Sequence, residues 1–122
     1  MSAALDTARA FEAAWQAKQF DKARSYLADD VVFDSPFGRE TSADAVIGQY
    51  AGISQVVSGP ADEIAAFGDD ETALIMYALP TSLFGTQVNA MRYTVRKGKI
   101  TAQTLIYDAT AAKAQLQARK AS

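Results

Sequence analysis

The chain has 122 residues, a formal net charge of −2 and 49% hydrophobic residues. This size predicts a single domain over residues 1–122, with its core between about residues 5 and 108. The small net charge indicates neither a nucleic-acid partner nor an anionic membrane. Because the chain has no cysteine and no histidine, disulfides, thiol chemistry, Ser-His catalysis and an ordinary zinc site are excluded. We therefore predict no metal and no cofactor.

The N-terminus lacks a basic segment followed by an apolar one, which is the pattern of a signal peptide. No apolar run approaches the roughly 20 residues that a membrane-spanning helix needs. We therefore expect a cytoplasmic protein without a membrane partner.

Two helices are predicted before residue 30. Over Ala3 to Lys18, one face is apolar and the other polar, as in an amphipathic helix. The apolar face carries Leu5, Ala8, Phe11 and Trp15, and the polar face carries Asp6, Arg9, Glu12 and Gln16. A second, short helix is predicted over Phe20 to Leu27, with Asp21 as its N-cap.

The stretch YLADDVVFDSPFGRE, residues 26–40, contains the first candidate functional residues. A turn at residues 28–30 precedes a brief strand over Val31 to Ser35, and Pro36 ends the strand because proline has no N–H to donate. Asp34 and Ser35 fall at the end of that strand, where a polar pair backed by apolar residues is typical of a site. A third helix is predicted from a cap at Thr41 or Ser42 to about Ser54.

The rest of the chain predicts strands and turns. The predicted strands cover residues 62–67, 71–79, 86–96 and 99–108, with turns at 68–70 and 97–98 and a loop at 80–85. Residues 110–119 are alanine-rich and form either a C-terminal helix or a frayed tail. Helices followed by an antiparallel meander are the α+β pattern.

Alternation along the last two strands separates their faces. Asn89, Met91 and Tyr93 share one face of the first of them, while Arg92 lies on the wetter face. The last strand is apolar on both faces, so we expect helices to cover one side and a second subunit the other. By the same alternation the inward residues of the last strand include Gln103, Leu105 and Tyr107.

Three segments resemble the SnoaL-like and ketosteroid isomerase-like branch of the nuclear transport factor 2-like superfamily. They are Phe20–Glu40, Ser42–Ser54 and Arg92–Asp108. The resemblance implies an α+β fold in which a curved antiparallel sheet wraps around the N-terminal helices as a cone with an internal apolar cavity. It also implies a homodimer through the outer sheet face. The family contains isomerases, cyclases, hydratases and epoxide hydrolases as well as non-catalytic binders, and fold alone does not choose among them.

The resemblance does not extend to the catalytic residues of the isomerase mechanism, which needs a base and hydrogen-bond donors for the enolate oxygen. The family's base falls on Ser35, its first-helix tyrosine on Phe11 and its protonated aspartate on or beside Met91. Only a pocket tyrosine of the third helix is matched, by Tyr50. An epoxide hydrolase-like Asp-Arg-Asp arrangement is matched by residue type alone, in Asp34, Arg92 and Asp108.

Two hypotheses follow from these residues. In the first, the protein binds a small, mostly apolar organic molecule, with acid–base chemistry through Asp34 and a hydroxyl such as that of Tyr50. In the second, it is a non-catalytic dimeric binding or structural member of the same fold. The predicted ligand-binding residues are Phe11, Trp15, Phe33, Ser35, Tyr50, Met76, Asn89, Met91, Tyr93, Gln103, Leu105 and Tyr107. Asp34 has an alternative interpretation as the cap of the turn at Ser35 and Pro36.

Overall fold

The computed structural model describes the backbone of residues 2–121 and the side chains of residues 2–118. Within these residues the chain forms four helices and six strands. The helices are α1 (Ala3–Gln16), α2 (Phe20–Ser25), α3 (Ala43–Ser54) and α4 (Thr110–Ala121). The strands are β1 (Leu27–Ser35), β2 (Gly38–Thr41), β3 (Asp62–Gly68), β4 (Thr72–Thr81), β5 (Gly85–Arg96) and β6 (Lys99–Ile106).

The six strands form one curled sheet in the order β2-β1-β6-β5-β4-β3. Helices α1 and α3 pack on its concave face, so the predicted α+β architecture, a curved sheet around N-terminal helices, is confirmed. The sheet is not wholly antiparallel, because β1 runs parallel to β6 while every other neighbouring pair is antiparallel. A parallel pair needs a long crossover, and most of the chain lies between these two strands.

The region around β1 differs most from its prediction. The predicted turn at residues 28–30 lies within β1, whose register against β6 shifts between Leu27 and Val32. The sequence analysis also missed β2, which returns from β1 by a tight hairpin through Pro36 and Phe37. Gly38 begins β2 at a φ of +121°, a conformation that glycine adopts without steric penalty. The hairpin therefore fixes which way the side chains at the end of β1 point.

Helix boundaries agree better with the sequence. Ser42 caps α3, and its hydroxyl oxygen accepts a hydrogen bond from the Ala45 N–H at 3.2 Å. The predicted cap of α2 is wrong, because Gln19 holds the N-cap position without a side-chain hydrogen bond and Asp21 lies in the first turn. Of the two alternatives for residues 110–119, the structure shows the helix, α4.

The core lies between the concave face of the sheet and the helices. On β5 the predicted inward residues Asn89, Met91 and Tyr93 are all buried, as the alternation predicts. On β4 the buried residues are Ala73, Ile75, Tyr77, Leu79 and Thr81. Among residues 2–121, no helix is long and apolar enough to cross a membrane.

Candidate functional site

A cavity of about 180 Å³ lies between the concave face of the sheet and helices α1 and α3. Its walls come from most elements of the fold, because the curled sheet brings β1, β4, β5 and β6 around the same space. The lining residues are Trp15, Phe33, Ser35, Phe37, Gln49, Tyr50, Ile53, Tyr77, Leu79, Gln87, Asn89, Met91, Leu105 and Tyr107.

Tyr50 on α3 lies at the centre of the aromatic part of the wall. Its ring centroid is 5.0 Å from that of Phe11 and 5.1 Å from that of Trp15, both on α1. The ring of Phe33 on β1 is 5.8 Å away and nearly perpendicular. Aromatic rings prefer such tilted and edge-to-face arrangements. The Tyr50 ring thus holds together the three elements that form this part of the cavity.

The described cavity wall carries no residue that is charged at neutral pH. Burial, and secondarily the nearby Glu12, raises the pKa of Tyr50 and of Tyr77 well above the ordinary tyrosine value. Burial also raises the pKa of Tyr107. These phenols therefore remain neutral hydrogen-bonding groups.

Two hydrogen bonds order the polar part of the wall. The Tyr50 hydroxyl donates to Gln103 Oε1 at 2.9 Å. On β5, Gln87 Nε2 donates to Asn89 Oδ1 at 2.8 Å. Among the described residues no hydrogen-bond partner reaches the buried Nε2 of Gln103. Buried polar groups are normally paired, so this donor is an exception beside the cavity.

Behind the wall lies a buried carboxyl group, that of Glu12 on α1, which is only 7% exposed. Trp15 Nε1 donates to Glu12 Oε2 at 2.5 Å, and the Tyr93 hydroxyl donates to Glu12 Oε1. Burial raises the pKa of Glu12, and these donors oppose the rise without cancelling it. Glu12 also borders a side pocket of about 210 Å³ that shares Tyr77 with the main cavity.

The model of the SnoaL-like domain family matches residues 8–103. The chain belongs to the SnoaL-like family. A solved structure of a Kribbella flavida protein is 36% identical to it and superposes with a TM-score of 0.89, covering 98% of each chain. No curated protein sequence matches the chain significantly.

Two more distant structures share the fold of this SnoaL-like chain. An NTF2-like protein of unknown function from Cytophaga hutchinsonii is 16% identical, with a TM-score of 0.76 over 88% of this chain and 92% of the other. An LEH-like epoxide hydrolase from M. tuberculosis is 20% identical, with a TM-score of 0.75 over 94% of this chain and 90% of the other. At these identities the likeness concerns the fold alone.

The structure brings most of the predicted ligand-binding residues of the SnoaL-like chain to one cavity. Those on its wall are Trp15, Phe33, Ser35, Tyr50, Asn89, Met91, Leu105 and Tyr107. Phe11, Tyr93 and Gln103 are buried behind this wall. Phe11 and Gln103 contact Tyr50 on the wall, whereas Tyr93 donates to Glu12. Residues of this second group can shape the site, but they do not line it.

Asp34 does not point into the cavity, which corrects its prediction as a candidate general base. Phe33 and Ser35 line the cavity, so the strand alternation turns Asp34 to the outer face. Its carboxylate accepts two hydrogen bonds from Arg39, at 2.7 and 3.1 Å, across the β1–β2 hairpin. Arg39 thereby holds the pKa of Asp34 below its ordinary value. The irregularity in the register of β1 against β6 lies earlier in the strand, between Leu27 and Val32, and does not turn Asp34 inward.

The epoxide hydrolase-like triad is likewise not assembled. Arg92 lies on the outer face and donates to Thr104 Oγ1 at 3.1 Å. Asp108 instead accepts hydrogen bonds from the N–H and hydroxyl of Thr110 at the start of α4. No buried Asp-Arg-Asp arrangement of these three residues forms in the described structure.

Met76 is also misplaced in the prediction, since its side chain is 43% exposed on the outer face of β4. Its neighbour Tyr77 lines the cavity instead, and the sequence analysis missed it. An alternation of polar and apolar residues along β4 would have identified Tyr77 as an inward residue only if one face of the strand were polar. Both faces are apolar there, so the pattern gave no direction. The other wall residues that were missed are Phe37, Gln49, Ile53, Leu79 and Gln87.

Proposed function

We propose that this SnoaL-like protein binds a small, uncharged and mostly apolar organic molecule in the cavity. The observation that carries the proposal is the uncharged wall, in which aromatic and aliphatic side chains surround a few amides and hydroxyls. A buried ion without a counter-charge is strongly destabilised. A ligand with a net charge is therefore disfavoured, whereas a neutral one gains from apolar burial.

The size of the cavity narrows the ligand further. About 180 Å³ is below the roughly 300–1,000 Å³ of sites that take drug-sized molecules. At roughly 30 Å³ for each water in the liquid, it equals the space of about six waters. We infer a ligand of the size of one six-membered ring with a small substituent.

Binding is favoured over acid–base catalysis because of where the carboxylates lie. Asp34 is on the outer face and bound by Arg39. Glu12 is inside but its oxygens are occupied by Trp15 and Tyr93. General acid–base catalysis needs a group within hydrogen-bonding reach of the reacting proton, and the described cavity wall carries neither carboxylate.

The proposal is tested with four probes that share a six-membered ring: cyclohexanone, methylenecyclohexane, cyclohexanecarboxylate and cyclohexylammonium. We expect the two neutral probes to bind and the two ions to bind at least about 100-fold more weakly, because the ions lose their hydration without gaining a counter-charge. Calorimetry and ligand-observed NMR at neutral pH measure this difference. Binding of the carboxylate as tightly as the ketone would contradict the proposal.

Two matched variants locate the binding. Leu105→Trp fills part of the cavity and should abolish binding of the neutral probes. Leu116→Trp makes the same change on the exposed side of α4 and should leave binding unchanged. Equal affinities of both variants for the ketone would place the binding outside this cavity.

We also propose that a second copy of the chain covers the outer sheet face. This face exposes large apolar side chains on four neighbouring strands, where an isolated protein would expose polar ones. They are Phe67 on β3, Leu74 and Met76 on β4, Val88 on β5 and Ile106 on β6. Asp34 and Arg39 at the β1–β2 end of the sheet already form an ion pair within the chain, so the self-complementary contact of a two-fold dimer would rest on the apolar side chains.

Light scattering at micromolar concentration should give the wild type the mass of two 13.0 kDa chains. Met76→Lys should dissociate it, because the symmetric contact would bury the new charge twice. Gln55→Lys adds the same charge at the end of α3 and should remain dimeric. A monomeric wild type would refute the dimer without affecting the proposal about the cavity.

A further inference from the structure

The polar part of the cavity wall converges on one cross-strand pair. Tyr77 on β4 and Asn89 on β5 are directly opposite in the sheet register. Both side chains lie on the concave face, both line the cavity, and their residues are 4% and 2% exposed. Directly opposed residues on one face of an antiparallel pair have neighbouring side chains.

Hydrogen bonding decides what this pair can offer. Asn89 Oδ1 is occupied, since it accepts from Gln87 Nε2 at 2.8 Å. Its Nδ2 carries two N–H groups. Only one of them can be directed at the neighbouring Tyr77 oxygen, so the other is left to donate to a ligand. The Tyr77 hydroxyl likewise donates to no described residue, unlike that of Tyr50, which is given to Gln103.

The influences on the pKa of Tyr77 are consistent with an Asn89 amide close to the phenol oxygen. Burial is the largest influence on the Tyr77 pKa and raises it, the negative charge of Glu12 raises it further, and the Asn89 amide acts to lower it. An amide lowers the pKa of a phenol when its N–H is directed at the phenol oxygen. This agrees with the sheet register, which places the Asn89 amide beside the Tyr77 phenol on the cavity wall.

We propose that Tyr77 and Asn89 form a two-donor site that binds the carbonyl oxygen of a neutral ketone- or amide-type ligand. This rests on the proposed function and specifies the ligand of that same cavity. A carbonyl oxygen has two lone pairs and can accept both hydrogen bonds. The rest of the ligand then lies against the apolar wall that includes Leu79 and Met91.

The same geometry favours binding of a neutral carbonyl group over binding of an enolate or phenolate. Glu12 lies behind Tyr77, across the side pocket that both residues border. When Glu12 is ionised, its charge repels negative charge on the ligand oxygen, and the described cavity wall supplies no cation to offset this repulsion. The site is thus suited to recognising a carbonyl group, and poorly suited to stabilising an oxyanion.

The test compares cyclohexanone with methylenecyclohexane, which has CH₂ in place of the carbonyl oxygen. Tyr77→Phe should weaken cyclohexanone binding about tenfold, the effect of leaving an acceptor without its donor. It should change methylenecyclohexane binding by less than about twofold. Tyr26→Phe removes a hydroxyl from outside the cavity and should alter neither affinity.

The ¹³C resonance of the bound ketone carbonyl gives an independent signature. Donors at the oxygen withdraw electron density from the carbonyl carbon, so the resonance should move downfield on binding to the wild type and move less in Tyr77→Phe. An equal loss of affinity for both probes, or no loss for either, would overturn the two-donor site and leave the proposed function standing. If the wild type binds neither probe, the proposed function itself fails.

Discussion

Glu12→Ala should lower the free energy of unfolding by about 3–5 kcal/mol at a pH near 4.5, because two buried donors lose their acceptor. Trp15 and Tyr93 are 1% and 0% exposed, and their N–H and O–H both end on Glu12. Urea denaturation followed by tryptophan fluorescence measures the change.

Glu12→Gln separates the hydrogen bonds from the charge. The glutamine oxygen can accept from Trp15, and its amide can donate to the oxygen of Tyr93, so the network of a protonated Glu12 is retained. The pKa of Glu12 is raised in the folded protein. Its contribution to stability is therefore complete below the ordinary glutamate value of 4.5 and is lost as the pH rises through the folded-state pKa.

We expect the difference in unfolding free energy between the wild type and Glu12→Gln to shift in favour of glutamine as the pH rises above 4.5. Glu63→Gln is the matched control, because Arg9 lowers the pKa of Glu63. Its stabilising contribution is instead lost as the pH falls, and it is small because the pair is exposed. A difference for Glu12→Gln that stays constant between pH 4 and 9 would show that Glu12 keeps an ordinary pKa.

Glu12 also shows why this part of the site was not predictable. Its position is at the edge of the apolar stripe of α1, and its residue type favoured the polar face. The buried carboxyl group of Glu12 is satisfied by a hydrogen bond from the hydroxyl of Tyr93, which lies 81 residues further along the chain. A pairing over that distance leaves no local pattern in the sequence.

The strands show the same contrast. On β5 the inward residues were predicted correctly because Arg92 marks the outer face. On β4, Met76 and Tyr77 could not be assigned, since Leu74 and Ile75 make both faces apolar. The ion pair of Asp34 with Arg39 depends on the β1–β2 hairpin, which was missed because β2 is short and carries no apolar alternation. Fold class and helix positions follow from periodicity, whereas the site follows from pairings between distant elements.

Tyr50→Ala should lower the free energy of unfolding by about 3–5 kcal/mol, as expected when a buried aromatic ring is removed. The ring contacts Phe11, Trp15 and Phe33 with centroid separations between 5.0 and 5.8 Å. These contacts join α3 to α1 and β1, so the loss should affect the whole cooperative unit. Chemical denaturation with two probes, fluorescence and circular dichroism, should give coincident transitions with a lower midpoint.

Tyr50→Phe keeps the ring and removes only the hydroxyl, so it isolates the hydrogen bond to Gln103. Without that donor, neither end of the buried Gln103 amide has a partner in the described structure. We expect a loss of about 1–3 kcal/mol, the cost of an unsatisfied buried polar group. A loss as large as that of Tyr50→Ala would mean that the hydroxyl, and not the ring packing, holds α3 in place.

The double variant Tyr50→Phe, Gln103→Met decides whether the two side chains act as one unit. Replacing both members of a buried hydrogen bond with apolar groups of similar shape is close to neutral, whereas removing one member is not. The double variant should therefore be more stable than Tyr50→Phe alone, by about 1 kcal/mol or more. Strictly additive losses would show that Gln103 is satisfied by another partner, such as a water molecule, and that its amide is independent of Tyr50.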